Sequence, residues 1–84
     1  MKALARVVIT PKATVKDPQG LAIRHGLETL GFSEVRSVRA GKYLEIEIES
    51  GSLAEAEERL ESMCQRLLAN QVIEDFRFEV LPQR

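Results

Sequence analysis

From Ala3 to Thr10 the apolar residues Leu4, Val7, Val8 and Ile9 run with little polar interruption. That pattern predicts a central strand covered on both faces. Pro11 lacks an amide donor and is expected to end it. Asp17 can accept a hydrogen bond from the Gly20 backbone N–H as an N-cap, and Pro18 stands at the first helical position, where a missing N–H costs nothing. Ile23, Leu27 and Leu30 then follow at i, i+4 and i+7, with Arg24 and Glu28 on the polar side and Gly31 placed to close the turn. A helix over about 18–30 is predicted.

Between Phe32 and Ala40 the two valines, Val35 and Val38, are three residues apart, which breaks strict alternation and predicts a bulged or edge strand. Gly41 offers the positive φ of a tight hairpin, and Tyr43 to Glu49 alternates, with Leu44, Ile46 and Ile48 opposite Glu45, Glu47 and Glu49. Ser52 and Glu55 make a capping box ahead of a stripe through Leu53, Ala56, Leu60, Met63, Cys64 and Leu67, predicting a second helix over about 53–69 that closes at Asn70. Phe76, Phe78 and Val80 alternate with Arg77 and Glu79 in a last strand, which Pro82 is expected to end. The order βαββαβ with short connections predicts an α+β two-layer sandwich. Two helices would lie on one face of a four-stranded antiparallel sheet, ferredoxin-like or a close variant.

Such a sheet leaves one face uncovered. With Ala5, Val7 and Ile9 turned to the helices, Leu4, Val8, Tyr43 and Leu81 face outward, and an apolar patch there predicts self-association. Length supports this: 84 residues form one domain over 1–84. A chain of this size buries only about 60–65% of its unfolded surface, and its net stability is about 4–13 kcal/mol.

Charge narrows the partners further. Twelve basic and thirteen acidic residues leave a formal charge of −1, with no field to draw nucleic acid or an anionic membrane. Arg6 interrupts the start before an apolar signal centre can form, and no run approaches the ~20 apolar residues that span a bilayer, so a cytoplasmic location is expected. An RNA-binding sheet would want exposed aromatics among basic residues, whereas the outward face offers mainly Tyr43 among glutamates.

Catalytic chemistry is not expected in this chain. His25, the only histidine, lies off the apolar stripe of its helix, and no second histidine or cysteine neighbours it in sequence. Cys64, the only cysteine, sits among Leu60, Met63, Leu67 and Leu68 as an inert small hydrophobe. Glu45, Glu47 and Glu49 are about 7 Å apart along a strand face and in principle suit a divalent cation, but cross-strand pairing with Arg36 and Arg39 is the plainer expectation, so no metal site is assigned. Gly20, Gly26 and Gly31 fit no phosphate-loop spacing, and Gly41-Lys42 lacks the following Ser or Thr. A second class of function, a small-molecule sensor built between paired ferredoxin-like domains, is kept as the alternative.

Three segments taken together carry a family likeness: Val15-Lys16-Asp17-Pro18-Gln19-Gly20, Val38-Arg39-Ala40-Gly41-Lys42-Tyr43-Leu44-Glu45, and Met63 to Phe76 with Leu67-Leu68-Ala69-Asn70 at its centre. In their order and separation they resemble the PurS family, the small subunit of phosphoribosylformylglycinamidine synthase in purine biosynthesis. Lys16 departs from the pattern, where the family usually has an apolar residue. The resemblance implies a complex that uses ATP and glutamine. In it a glutaminase subunit releases ammonia, a large synthetase subunit activates formylglycinamide ribonucleotide, and dimers of the small subunit bridge the two without binding a cofactor themselves. Partner contacts are expected at Asp17, Pro18, Gln19 and Gly20, and at Arg39, Gly41 and Lys42.

Overall fold

The computed structural model describes residues 1–83. Strand β1 (Lys2–Pro11) is followed by helix α1 (Pro18–Thr29), strand β2 (Lys42–Glu49), helix α2 (Leu53–Met63), which passes directly into a π-helical turn at Cys64–Leu68, and strand β3 (Glu74–Gln83). The strands make one antiparallel sheet in the order β2-β1-β3, with β1 in the centre as its apolar run predicts.

The α+β class with two helices and an antiparallel sheet is therefore as read from the sequence, but the sheet has three strands, not four. The missing strand is residues 32–40. That segment pairs with no strand, and Gly41 turns no hairpin, Gly31 being the one glycine with positive φ among the described residues. The irregular valine spacing reports this irregular return segment. Pro82 lies inside β3, facing Ala3, where one side of an edge strand needs no donor.

The register sorts the side chains. Toward the helical layer point Ala3, Ala5, Val7 and Ile9, flanked by Ile48, Ile46 and Leu44 on β2 and by Val80, Phe78 and Phe76 on β3. Helix α2 packs over β3 and β1, where the small Ala3 and Ala5 admit Ala56, Leu60 and Cys64 into one buried cluster. The other sheet face carries Leu4, Val8, Tyr43 and Leu81 as expected, yet it also carries Arg6 between Glu45 and Glu79 in register. So β1 is covered on one face only. Arg6 lies 3.5 Å from Glu79, an exposed pair worth about 0–1 kcal/mol. The expected pairing of Arg36 and Arg39 with the β2 glutamates is absent among the described residues, because the strand beside β2 is β1.

The π turn corrects the second helix. The Ala69 N–H donates to the Cys64 carbonyl at 3.0 Å, an i to i+5 bond that inserts one residue into the helical repeat. The stripe Ala56, Leu60, Cys64 then continues through half-buried Leu68 and buried Ala69, and Leu67 is turned outward at 83% exposure.

Helix α1 is specified by its ends more than by packing. Asp17 caps its start as expected. At its finish the Gly31 N–H donates to the Glu28 carbonyl and the Phe32 N–H to the Leu27 carbonyl, both at 3.0 Å, with Gly31 at φ 99°, the pairing of a Schellman motif. Only Gly20 of this helix is buried, and Ile23 is 43% exposed on its apolar stripe.

Candidate partner-contact site

The three signature segments meet at one end of the sheet. There β1 finishes, β2 starts opposite Ile9, and β3 starts opposite Pro11. Each connection into or out of this end has a reason in the sequence.

Asp17 is the knot. Its carboxylate accepts from the Gly20 N–H at 3.0 Å and, through the other oxygen, from the Ala40 N–H at 2.8 Å. One side chain thereby caps α1 and fastens the chain that returns from it. The Gly20 bond first, then that from Ala40, holds this carboxyl below the usual aspartate range, against a smaller opposing effect of desolvation. Gly20 must lack a side chain because the Val38 carbonyl oxygen occupies the place of its Cβ, with the Asp17 carboxylate also within contact distance. Gly41 is required for a parallel reason: the Ile9 carbonyl stands where its Cβ would be. Both glycines allow backbone to approach backbone, and neither serves a positive φ.

Arg39 donates to the Pro11 carbonyl at 3.1 Å, and Lys42 lies 3.9 Å from Glu74. Lys12 pairs with Asp75 at 2.8 Å. The third segment closes on itself beside them, with the Asn70 N–H donating to Glu74 Oε1 at 2.8 Å and Asn70 Oδ1 accepting from the Val72 N–H at 3.1 Å. Of the seven residues expected to make contacts, Asp17, Gly20 and Gly41 thus have structural work that consumes them. Pro18, Gln19, Arg39 and Lys42 present exposed side chains at the same end, and Leu67 and Val72, each more than four-fifths exposed, stand on the third segment. The outward position of Leu67 is not legible in the sequence, because α-helical spacing places it in the core and the one-residue π insertion has no signature in the hydrophobic pattern.

No nucleophile is joined to a base here. His25 is exposed on α1, where its carbonyl accepts from Thr29 Oγ1. Cys64 is wholly buried, and burial, reinforced by Glu61, raises its thiol pKa. Among the described residues no group of three or more His, Cys, Asp or Glu side chains is arranged to hold a metal ion, and no helix is long and apolar enough to cross a membrane. The groove on the open sheet face, lined by Arg6, Val8, Tyr43, Arg77 and Glu79, sets two cations against Glu79 and the neighbouring Glu45, so no excess charge awaits an anionic ligand.

Fold and site together define a small α+β protein whose three signature segments converge at one end of a three-stranded antiparallel sheet. Residues 4–82 match the model of the PurS family, phosphoribosylformylglycinamidine (FGAM) synthase, and the chain belongs to that family. The phosphoribosylformylglycinamidine synthase subunit PurS of Bacillus subtilis is 44% identical over 75 residues, spanning 89% of this chain and 88% of that protein. The solved B. subtilis PurS structure superposes with a TM-score of 0.84 at 42% identity, covering 95% of this chain and 99% of that one. A chain of the solved PurLQS structure from Thermotoga maritima gives 0.83 at 27% identity, covering 96% and 100%.

Proposed function

We propose that this chain is the small, non-catalytic subunit of phosphoribosylformylglycinamidine synthase, a ligase complex of purine biosynthesis in the cytoplasm, and acts as a single domain over residues 1–84. It associates with itself and bridges a glutaminase subunit to a large synthetase subunit. The complex consumes ATP and glutamine and delivers ammonia to formylglycinamide ribonucleotide. The observation that carries this reading is the convergence of all three family segments at one end of the sheet, where they meet no reactive side chain but leave Pro18, Gln19, Arg39 and Lys42 exposed. Ammonia released into water is diluted and protonated, so holding the two catalytic centres together raises its effective concentration at the acceptor. A subunit that only positions others supplies that effect without chemistry of its own.

Reconstitution tests it. Glutamine-driven synthesis should require this chain, while synthesis from added ammonium by the large subunit should need it less. Lys42→Ala, which gives up only a long ion pair at 3.9 Å between the exposed Lys42 and the half-buried Glu74, should leave the isolated chain's unfolding nearly unchanged and weaken glutamine-driven synthesis. Full glutamine-driven activity without this chain would refute the bridging role; full activity with Lys42→Ala would remove that residue from the contact.

A further inference from the structure

Charge is divided unevenly along the chain. Residues 1–43 carry eight Lys and Arg against three Asp and Glu, and residues 44–84 carry four against ten, so a total near neutrality hides a basic half and an acidic half. The middle of the basic half, residues 17–40, forms an arm, with α1 running out and the irregular segment returning to the Asp17–Ala40 bond at its base. On the arm lies a groove of about 640 Å³. Pro18, Leu21 and Ala22 give it an apolar lining, Lys16, Arg24 and His25 give it donors, and Glu28 is its one acid.

Helical geometry sets this groove apart from the apolar stripe of α1. At about 100° per residue, Pro18, Leu21, His25 and Glu28 share a face that points about 170° away from Ile23, Leu27 and Leu30. An element seated on the stripe therefore leaves the groove open.

The cations of the groove are unclaimed. Neither Lys16 nor Arg24 makes an ion pair among the described residues, and the Asp17 carboxylate, next to Lys16 in sequence, is taken up by the Gly20 and Ala40 N–H groups. Arg24 is half-buried, its Nε shielded from water and without a hydrogen-bond partner among the described residues. Packing thus holds this side chain in place, and it loses little freedom when a carboxylate arrives. Leu21, 48% exposed, adds apolar surface to the same groove. A phosphate is held by donors that converge on it, whereas these donors are spread along a helix that advances about 15 Å from Pro18 to Glu28. Apolar lining with separated cations suits an apolar side chain flanked by carboxylates.

Resting on the bridging role stated above, we propose that this groove docks an acidic segment with an apolar anchor, carried by the large synthetase subunit. The groove continues the contact end outward from Pro18 along the arm, and so asks for the more extended of the two partners.

Titrating this chain into the synthetase and glutaminase subunits, with glutamine-driven synthesis as the readout, tests this. Lys16→Glu and Arg24→Glu should each raise the half-saturating concentration of this chain about tenfold or more without lowering the rate at saturation, and Glu28→Gln, which removes the opposing charge, should lower it. Lys16→Arg should match the parent, and so should Lys2→Glu at the far end of β1. Lys16 is exposed, so its variants should fold. In the assembled complex a carbodiimide, which joins an amine directly to a carboxylate, should link Lys16 to an Asp or Glu of the synthetase subunit, and Lys16→Arg should abolish that link while assembly persists. Half-saturation unchanged by both glutamates, or a Lys16 link only to the glutaminase or to a second copy of this chain, overturns the docking and leaves the bridging role standing. Full glutamine-driven synthesis without this chain overturns both.

Discussion

Replacing Gly20 by alanine measures the fit at the base of the arm, and Gly26 supplies the control within the same helix. An alanine at Gly26 meets nothing within 4 Å, so it should gain the ordinary helix preference over glycine, about 0.5–1 kcal/mol. At Gly20 the same gain is opposed, because the new Cβ falls on the Val38 carbonyl oxygen and against the Asp17 carboxylate. Backbone cannot rotate away as a side chain does, so relief requires the return segment to move and the Ala40 bond at 2.8 Å to loosen. Overpacking of this kind costs about 1–3 kcal/mol, leaving Gly20→Ala destabilised by about 0–2.5 kcal/mol, with a midpoint of ~1 kcal/mol. For a domain of this length 1 kcal/mol shifts Tm by about 4–8 °C, so the variants should melt on opposite sides of the parent. Circular dichroism melts at one fixed protomer concentration are the assay, since association adds to apparent stability. Equal stabilisation by both alanines would show that the close approach of Gly20 to Val38 does not hold the arm.

Three further outcomes follow from burial and charge. Leu60 is wholly buried, so Leu60→Ala should cost about 2–5 kcal/mol by urea unfolding, while Leu67→Ala, on the outward side of the π turn, should change the isolated chain's stability by less than about 0.5 kcal/mol. Asp17, with its carboxyl pKa held low in the fold, contributes stability that is complete above the unfolded aspartate value and is lost as pH falls through the folded one. The stability gap between the parent and Asp17→Asn should therefore be constant above about pH 5 and close under more acid conditions; a gap independent of pH down to acid unfolding would refute the charge contribution. The Cys64 thiol should react with an aromatic disulfide reagent only at the rate of unfolding, and prompt reaction in the folded protein would contradict its burial.

The legible parts of this fold are those fixed by neighbours in sequence. Asp17-Pro18 and Gly31 define both ends of α1 by local hydrogen bonds, the alternation from Tyr43 to Glu49 defines β2, and the apolar run of β1, interrupted only by Arg6, marks it as central. What the sequence conceals depends on contacts between distant residues. A return segment with two valines resembles a weak strand, and only the bond between Asp17 and Ala40, 23 positions apart, shows that it is the closing half of an arm. Gly41 suggests a turn because glycine is common there; its actual reason, the Ile9 carbonyl, lies on another strand. At this end of the sheet the seven expected residues lie close together but with mixed duties, since Asp17, Gly20 and Gly41 are engaged within the fold and Pro18, Gln19, Arg39 and Lys42 are exposed.

Those mixed duties bear on how contact variants should be read. Because Asp17 both starts α1 and fastens Ala40, its loss would free the arm and disturb the neighbouring Arg39 and Lys42 together, so a fall in complex activity on removing Asp17 would not separate contact from architecture. Lys42 and Gln19 do separate them, since the exposed Lys42 pair with Glu74 is weak and no hydrogen bond engages the Gln19 side chain among the described residues. The same logic extends to the π turn. Its extra residue costs regular helical hydrogen bonding, yet it brings Leu68 and Ala69 to the core and leaves Leu67 outward at 83% exposure, on the same signature segment as the exposed Val72. Leu67→Gln should therefore be silent in the isolated chain and weaken the reconstituted complex, and a variant that unfolds the chain while sparing assembly would reverse that assignment.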